Sequence, residues 1–175
     1  MKGRKIALIG FMGCGKTSIG KLLAGRLSAS FLDLDEEIER LERRSVRAIF
    51  EVEGEAAFRA IEAGMLSRLS QRKENLVLSC GGGAILSPAN RQLLTREFFV
   101  VWIHVPLEEL VKRLAREREG RPLLKDADYE ERVKKLFEAR LPLYQEACAL
   151  TYRWKDGEST ADSTTAIMDA LAQAR

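Results

Sequence analysis

The chain has 175 residues, of which 46% are hydrophobic and 31% charged, the proportions of a one-domain globular protein with a substantial core. Its net charge is only +3, and charges of both signs alternate along the predicted helices, which argues against a nucleic-acid-binding protein. No apolar run approaches the ~20 residues that a membrane span needs, and three cysteines without CxxC spacing indicate reduced thiols in the cytoplasm.

The first predicted strand, residues 5–10, leads directly into a phosphate-binding motif. Residues 10–17 follow the pattern G-x-x-x-x-G-K-S/T and precede a helical pattern. The glycines let backbone N–H groups face a polyphosphate, and the following helix presents its positive end to the anion. Lys16 is expected to reach the β and γ phosphates, and Thr17 to ligate Mg²⁺. This P-loop predicts an ATP site at Gly13, Cys14, Gly15, Lys16, Thr17 and Ser18.

The second predicted strand, residues 30–32, runs into Asp33-Leu34-Asp35. Alternation along an extended chain points both carboxylates toward the carboxyl edge of a parallel sheet, where ligands bind. One carboxylate is then expected to serve Mg²⁺ and the other an acceptor hydroxyl. The alternative is that Asp35 caps a helix starting at Glu36. Capping explains one aspartate but not the pair.

A long helical stretch, residues 34–71, separates the second strand from the third, residues 76–79. Its apolar stripe includes Phe58 and Met65, whereas the helix after the P-loop has Ile19, Leu22, Leu23 and Leu27 on one face. In a P-loop protein such an insertion commonly binds the second substrate. Arg59 belongs to it, and the residues alone leave open whether Arg59 only pairs with Glu55 or Glu62 at helical spacing.

Three glycines, Gly81, Gly82 and Gly83, follow the third strand. They mean that the backbone there approaches something closely or bends sharply. A plain turn before the helix near Pro88 needs only one or two glycines. A ligand pressed against the backbone is therefore the better interpretation.

The rest of the chain continues the alternation of strands and helices. Residues 99–105 and 150–154 are predicted strands, and residues 107–116, 129–147 and 164–173 predicted helices. The charged segment 117–128, with a glycine and a proline, predicts a mobile lid or else a surface loop. His104, Trp102 and Trp154 are most simply packing residues. The pattern predicts one domain, residues 1–175, with a three-layer αβα sandwich around a five-stranded parallel sheet of P-loop kinase type.

Together these segments resemble the shikimate kinase family over nearly the whole chain. The resemblance combines the P-loop with six further segments. They are Phe31-Leu32-Asp33-Leu34-Asp35, Ile49-Phe50-Glu51, Gly54-Glu55-Ala56-Ala57-Phe58-Arg59-Ala60-Ile61-Glu62, Gly81-Gly82-Gly83, Arg121-Pro122-Leu123-Leu124 and Arg140-Leu141-Pro142-Leu143-Tyr144. The P-loop alone is generic to a superfamily. The Phe-Arg helix combined with the triple glycine is specific.

The resemblance implies an enzyme that moves the γ-phosphoryl group of MgATP to the 3-hydroxyl of shikimate, in aromatic amino-acid biosynthesis. Arg59 and Arg140 would bind the shikimate carboxylate. Gly81, Gly82 and Gly83 would line the site, with Asp35 on the hydroxyls as candidate general base. Asp33 would bind Mg²⁺ through water, and Arg121 would contact the phosphates as the lid closes. Arg113 or Arg116 would stack on the adenine. The implied catalytic residues are Lys16, Asp35 and Arg121.

Some features leave other functions open. Residues 153–157 match the family's adenine-contacting segment poorly. Another small-molecule kinase, such as one acting on gluconate, shares the P-loop, and a nucleoside monophosphate kinase is a weaker alternative. A GTP-dependent switch normally carries the guanine-binding sequence N-K-x-D, which does not occur here. A catalytically inactive binding module should have lost at least one of the groups that phosphoryl transfer needs, whereas this chain retains them. A monomer is expected, because no long exposed apolar stripe is predicted.

Overall fold

The computed structural model describes residues 4–118 and 127–174. Its centre is one parallel sheet with the strand order β2-β3-β1-β4-β5. The registers pair β1 with β3 and β4, β2 with β3, and β4 with β5, all parallel. The strands are β1 Lys5–Ile9, β2 Ser30–Asp33, β3 Leu76–Ser79, β4 Phe99–His104 and β5 Leu150–Arg153.

Seven helices connect and cover the strands within the described residues. A short 3₁₀ turn, Ala84–Leu86, follows the triple glycine. The helices are α1 Lys16–Arg26, α2 Leu34–Glu42, α3 Val46–Ser70, α4 Pro88–Glu97, α5 Leu107–Arg118, α6 Ala127–Ala147 and α7 Thr160–Gln173.

The helices form two layers, one on each face of the sheet. Along β1, Ala7 and Ile9 pack into a core with α2, α3 and α4. Ile6 and Leu8 pack into a second core with α1, α5 and α7. Helix α6 contributes to both cores. Successive strand residues point to opposite faces, so this division confirms the predicted three-layer αβα sandwich.

The end of β2 differs from the prediction. The strand includes Asp33, and helix α2 begins at Leu34, so Asp35 lies on a helix and not on an extended strand. The Asp33 carboxylate accepts the Asp35 N–H at 3.1 Å and caps the helix. The expected strand alternation at Asp35 is therefore wrong, and so is the alternative that Asp35 is the cap. An aspartate before a helix can cap it from any of several positions, and sequence spacing does not choose among them.

Two helix predictions also need correction. Leu22 is 42% exposed, because its neighbour Leu23 points into the core and successive helical residues diverge by about 100°. Helix α7 begins at Thr160, earlier than predicted. Ser159 and Asp162 form a capping box there, with each side chain accepting the other's backbone N–H, and this satisfies donors of the first turn.

The predicted lid, residues 117–128, lies largely outside the described part of the chain. Residues 117–118 close α5, and residues 127–128 open α6. Arg121 lies outside the described residues. Among the helices that are described, none has the length and apolarity required to cross a membrane.

Candidate active site

The P-loop leaves β1 and wraps around the Lys16 side chain. Gly13 and Gly15 have φ angles of 77° and 92°, in the left-handed region that glycine adopts at little cost. Lys16 Nζ donates to the carbonyl oxygens of Gly10 and Phe11 at 2.9 and 3.0 Å. The ammonium group is thus held within the loop, at the N-terminus of α1, where a polyphosphate would bind.

The other P-loop residues also lie where the prediction expects them. Cys14 is 2% exposed, and its Sγ is 3.7 Å from Lys16 Nζ. Ser18 is exposed in the first turn of α1.

Thr17 and Asp33 meet beside the loop. Thr17 Oγ1 donates to Asp33 Oδ2 at 3.0 Å, so two hard oxygen ligands lie together. Mg²⁺ usually takes only one or two protein oxygens and completes its shell with water and phosphate. No group of three His, Cys, Asp or Glu side chains among the described residues forms a metal site. The Thr17 and Asp33 oxygens fit the small number of protein ligands that a phosphate-bound Mg²⁺ takes.

Asp35 lies across from the P-loop, next to the triple glycine. A Cβ added to Gly81 would be 2.7 Å from Asp35 Oδ1. Burial raises the pKa of Asp35, and the negative charge of Asp33 raises it further, against the lowering effect of Lys16. The structure thus brings the two aspartates and Lys16 together, as the sequence predicts.

The triple glycine gives space to side chains of the site. A Cβ on Gly83 would be 2.5 Å from Arg59 Nη2, too close to be accommodated without a shift, whereas one on Gly82 would be 3.6 Å from Arg140 Nη1, an ordinary contact. Side chains thus approach the backbone closely at Gly81 and Gly83, while the ligand inferred from the sequence stays a prediction. The neighbours in the structure are the very side chains predicted to bind the acceptor.

Arg59 is held by two glutamates on its own helix. Its Nη1 donates to both oxygens of Glu62, at 2.9 and 3.1 Å, and its Nη2 lies 3.2 Å from Glu55. Glu62 is 1% exposed, and burial raises its pKa against the lowering effect of Arg59. The pairing at helical spacing thus occurs, and it fixes Arg59 beside Gly83. Glu62 appeared in the sequence only as a possible partner for Arg59.

Arg140 comes from α6 and is 8% exposed. Its Nη1 donates to the Gly82 carbonyl at 3.1 Å, and its guanidinium lies 5.7 Å from the centre of the Phe11 ring. Its buried Nε has no hydrogen-bond partner among the described residues. Tyr144, one turn further along α6, donates to the same carbonyl at 2.9 Å. The sequence pattern assigns no role to Tyr144 beyond its place in the motif.

Arg113 connects α5 to the P-loop. Its Nη1 lies 3.4 Å from the Gly13 carbonyl oxygen, and its Nε donates to Glu109 at 2.8 Å. The Trp154 ring lies against the guanidinium, 4.8 Å from ring centre to Cζ. Of the two arginines considered for the adenine, Arg113 is therefore the one at the P-loop. Arg116 is exposed.

Comparison with known proteins decides the family. The family described as shikimate kinase matches residues 12–172. The chain belongs to the shikimate kinase family. This membership confirms the prediction of a phosphotransferase that phosphorylates shikimate with ATP.

Individual shikimate kinases agree with this assignment. The chain is 46% identical to the shikimate kinase of Thermosynechococcus vestitus over 83% of this chain and 78% of that protein. It is 41% identical to that of Ruegeria pomeroyi over 97% and 85%. Among solved structures, the shikimate kinase from Acinetobacter baumannii in complex with shikimate has a TM-score of 0.85 at 37% identity, covering 98% of this chain and 94% of that one. The P-loop kinase fold is likewise confirmed.

The individual residue roles remain predictions. The described part of the chain gathers nearly every predicted site residue at the carboxyl edge of the sheet. The acceptor residues follow β2 and β3 or come from α3 and α6, and the nucleotide residues follow β1 or lie on α5. Arg121 is outside the described residues.

Proposed function

We propose that the chain transfers the γ-phosphoryl group of ATP to the 3-hydroxyl of shikimate at this edge of the sheet. The observation that carries the proposal is the pair Arg59 and Arg140 beside the triple glycine, across from Asp35. Within residues 4–118 and 127–174, the buried Nε of Arg140 has no hydrogen-bond partner. A buried polar group without a partner is costly, and a substrate carboxylate would satisfy it.

The acceptor site has a cationic end and an anionic end. Arg59 and Arg140 supply planar guanidinium groups, which match a carboxylate. Asp35 supplies an acceptor for hydroxyl hydrogens at the other end. Shikimate has a carboxylate and several hydroxyls on one rigid ring, so it suits this polarity. Glu62 and Tyr144 act as positioning residues, because Glu62 fixes Arg59, while Tyr144 and Arg140 hold the Gly82 carbonyl.

The phosphoryl donor occupies the P-loop in this proposal. Lys16 contacts the β and γ phosphates, and backbone N–H groups of residues 13–18 surround them. Thr17 and, through water, Asp33 hold Mg²⁺, which when bound neutralises charge on the phosphates. Arg121 stabilises the negative charge that develops on the phosphates during transfer in this proposal.

Asp35 is the group that orients or deprotonates the acceptor hydroxyl. Its raised pKa makes the carboxylate a stronger proton acceptor than an ordinary aspartate. It lies beside Gly81, within the acceptor half of the edge. Because a loose phosphoryl-transfer transition state demands little base assistance, orientation is the larger part of this role.

The remaining proposals concern the whole chain. We assign residues 1–175 to one domain, in which residues 34–71 form the acceptor-binding insertion and residues 117–128 the lid. We further assign it to the cytoplasm, as a monomer. Size-exclusion chromatography with light scattering tests whether the protein is a monomer. The proposal requires the 19.7 kDa mass of one chain.

The deciding experiment measures ADP release with MgATP and a panel of acceptors: shikimate, its methyl ester, gluconate or none. We expect release with shikimate well above the background, and little with the ester, since the ester has no carboxylate for Arg59 and Arg140. Equal rates with shikimate and its ester would contradict the proposed carboxylate site. Stimulation of ADP release by gluconate alone would favour the alternative function, a kinase that acts on gluconate.

A further inference from the structure

The backbone that follows the triple glycine has carbonyl groups that its own turn cannot pair. The 3₁₀ turn Ala84–Leu86 is three residues long, and the last carbonyls of any helical turn have no partner within it. Ala84 and Ile85 are buried, so water is a poor substitute for the missing donors. The donors must come from another element, and α4 supplies them.

Two side chains of α4 bind these carbonyls. Asn90 is 2% exposed, and its Nδ2 donates to the Ala84 carbonyl at 3.1 Å. Arg91 Nη1 donates to the Ile85 carbonyl at 2.8 Å and to the Leu86 carbonyl at 3.2 Å. The Arg91 side chain is 12% exposed, so these charge-assisted hydrogen bonds are largely shielded from solvent. We call Asn90 and Arg91 the α4 clamp.

The α4 clamp holds the turn that continues the triple glycine. Gly83 directly precedes this turn and packs tightly on Arg59, since a Cβ there would be 2.5 Å from Nη2. Gly82 is held by α6, because its carbonyl accepts hydrogen bonds from Arg140 and Tyr144. A shift of the turn would therefore move the triple glycine relative to both arginines of the acceptor site.

Helix α4 is itself fixed in the core that the acceptor helices share. Its Leu94 is buried in one cluster with Met65 of α3 and Tyr144 of α6. Ser87 caps the helix, and its hydroxyl accepts the Asn90 N–H at 3.3 Å. The α4 clamp thus ties the turn to a packed element, which suits a group that has to hold a site in place.

We propose that Arg91, assisted by Asn90, is a positioning residue of the acceptor site. It acts through the turn Ala84–Leu86, which determines where the triple glycine lies relative to Arg59 and Arg140. Such placement matters, because a shift of about 1 Å at a binding group can cost about 100-fold in rate. The proposal rests on the proposed function, since it assumes that shikimate binds beside the triple glycine.

Arg91 also lies near a carboxylate, which offers a different explanation for any effect of its loss. Its Nε is 3.1 Å from Glu146 Oε2 on α6, but among the described residues this Nε makes no hydrogen bond. The Glu146 side chain is 58% exposed, and exposed ion pairs contribute little. The proposal therefore assigns the role of Arg91 to the carbonyls and not to this ion pair.

Binding measurements with each substrate site separate these explanations. The experiment measures Kd calorimetrically for shikimate and for MgADP on the wild type and on Arg91→Met, which keeps an unbranched side chain but has no donor. We expect Arg91→Met to weaken shikimate about 10-fold, in the range of a lost hydrogen bond from a charged group. MgADP affinity should change less than about 2-fold, because the P-loop is intact.

Two control variants accompany Arg91→Met. Glu146→Gln removes the charge of the ion pair and should leave both affinities within about 2-fold of the wild type. Ile167→Val removes a methylene group from the core on the other face of the sheet. It lowers stability without touching the turn, and it should leave both affinities unchanged.

Several outcomes would overturn the proposal. An unchanged shikimate affinity in Arg91→Met removes the positioning role, and equal weakening of shikimate and MgADP indicates general damage. A loss in Glu146→Gln as large as in Arg91→Met means that the ion pair acts instead. A wild type that neither binds shikimate nor releases ADP with it would refute the proposed function, and this proposal with it.

Asn90→Leu keeps the proposal testable even where Arg91→Met fails to fold. Leucine has nearly the size of asparagine but no donor for the Ala84 carbonyl. We expect shikimate to bind about 3-fold more weakly, as for a lost neutral hydrogen bond, with MgADP affinity unchanged. An unchanged shikimate affinity in this variant would contradict the proposal.

Discussion

At the scale of single residues, Arg140 and Arg59 differ in burial and in the groups that they hydrogen-bond. Arg59 is paired with two carboxylates, whereas Arg140 is 8% exposed and is bonded through Nη1 to a backbone carbonyl. The hydrogen-bond partner of Arg140 is thus neutral, whereas the partners of Arg59 are charged. In the proposed site, the acceptor carboxylate would therefore gain most from Arg140, where little water competes.

This argument predicts the effect of Arg140→Lys. Lysine keeps the charge but loses the planar fork, so KM for shikimate should rise about 10-fold or more, as expected for a lost charge-assisted hydrogen bond. KM for ATP should change less than about 2-fold, because the P-loop contacts are intact. Steady-state kinetics with each substrate varied measures both, and Arg68→Lys, an exposed arginine of α3, is the matched control. Equal increases in both KM values would indicate general damage instead.

The substitution Asp35→Asn is expected to have opposite effects on activity and on stability. Burial, and then the charge of Asp33, raises the folded-state pKa above its unfolded value, so the folded state binds the proton more tightly. Ionising Asp35 therefore costs stability, and that cost appears as the pH rises through the folded pKa.

Asp35→Asn should accordingly raise Tm at pH 7 while lowering kcat about 100-fold or more, the usual contribution of a positioned base. The Tm difference from the wild type should shrink as the pH is lowered, because the wild-type carboxyl becomes neutral. Scanning calorimetry at a series of pH values below 7 measures it. A lower Tm for Asp35→Asn at pH 7 would show that Lys16 and Arg59 stabilise the ionised form more than burial and Asp33 destabilise it.

At the scale of elements, helix α3 contains a backbone break at one glycine. Gly54 has φ 81° and ψ 176° inside the helical span, a conformation that side chains with a Cβ rarely adopt. Gly64, ten residues later, is ordinary helix. A Cβ at either position would meet no atom within 4 Å, so the two sites differ in backbone conformation and not in space.

Alanine at these two positions should therefore act in opposite directions. Gly54→Ala should lower the free energy of unfolding by about 1–3 kcal/mol, the cost of a strained residue. Gly64→Ala should raise it by about 0.5–1 kcal/mol through helix propensity. Urea denaturation measures both. A gain from both substitutions would mean that the helix can run straight through position 54.

The elements that the sequence predicts well are those with a strong local pattern. The apolar runs of β1 and β4 and the P-loop motif each determine their own structure. The start of α2 is less predictable, because either Asp33 or Asp35 is chemically able to cap it. Tyr144 has no local sequence signal, because its hydrogen-bond partner Gly82 lies 62 residues away.

At the scale of the whole molecule, the residues proposed to bind the two substrates lie along one edge of the sheet. The proposed acceptor site depends on α2, α3 and α6, and the proposed nucleotide site on α1 and α5. Helix α6 links the two cores: its Phe137 packs edge-to-face on Phe11 of the P-loop, with ring centres 5.5 Å apart, and its Arg140 lies over the same ring. The acceptor site is therefore built onto the P-loop rather than onto an independent unit.

That arrangement predicts a single unfolding transition that either substrate shifts as a whole. Shikimate at about 100 times its Kd should add about 2.7 kcal/mol of stability, or roughly 5–10 °C in Tm for a chain of this size. Tryptophan emission reports on the sheet through Trp102 on β4 and Trp154 after β5, and far-ultraviolet circular dichroism reports on all the helices. The two curves should coincide with and without shikimate and should move together. If residues 34–71 unfolded as a separate unit, shikimate would shift the dichroism curve away from the emission curve, because the acceptor stabilises the insertion directly and β4 only through the shared core.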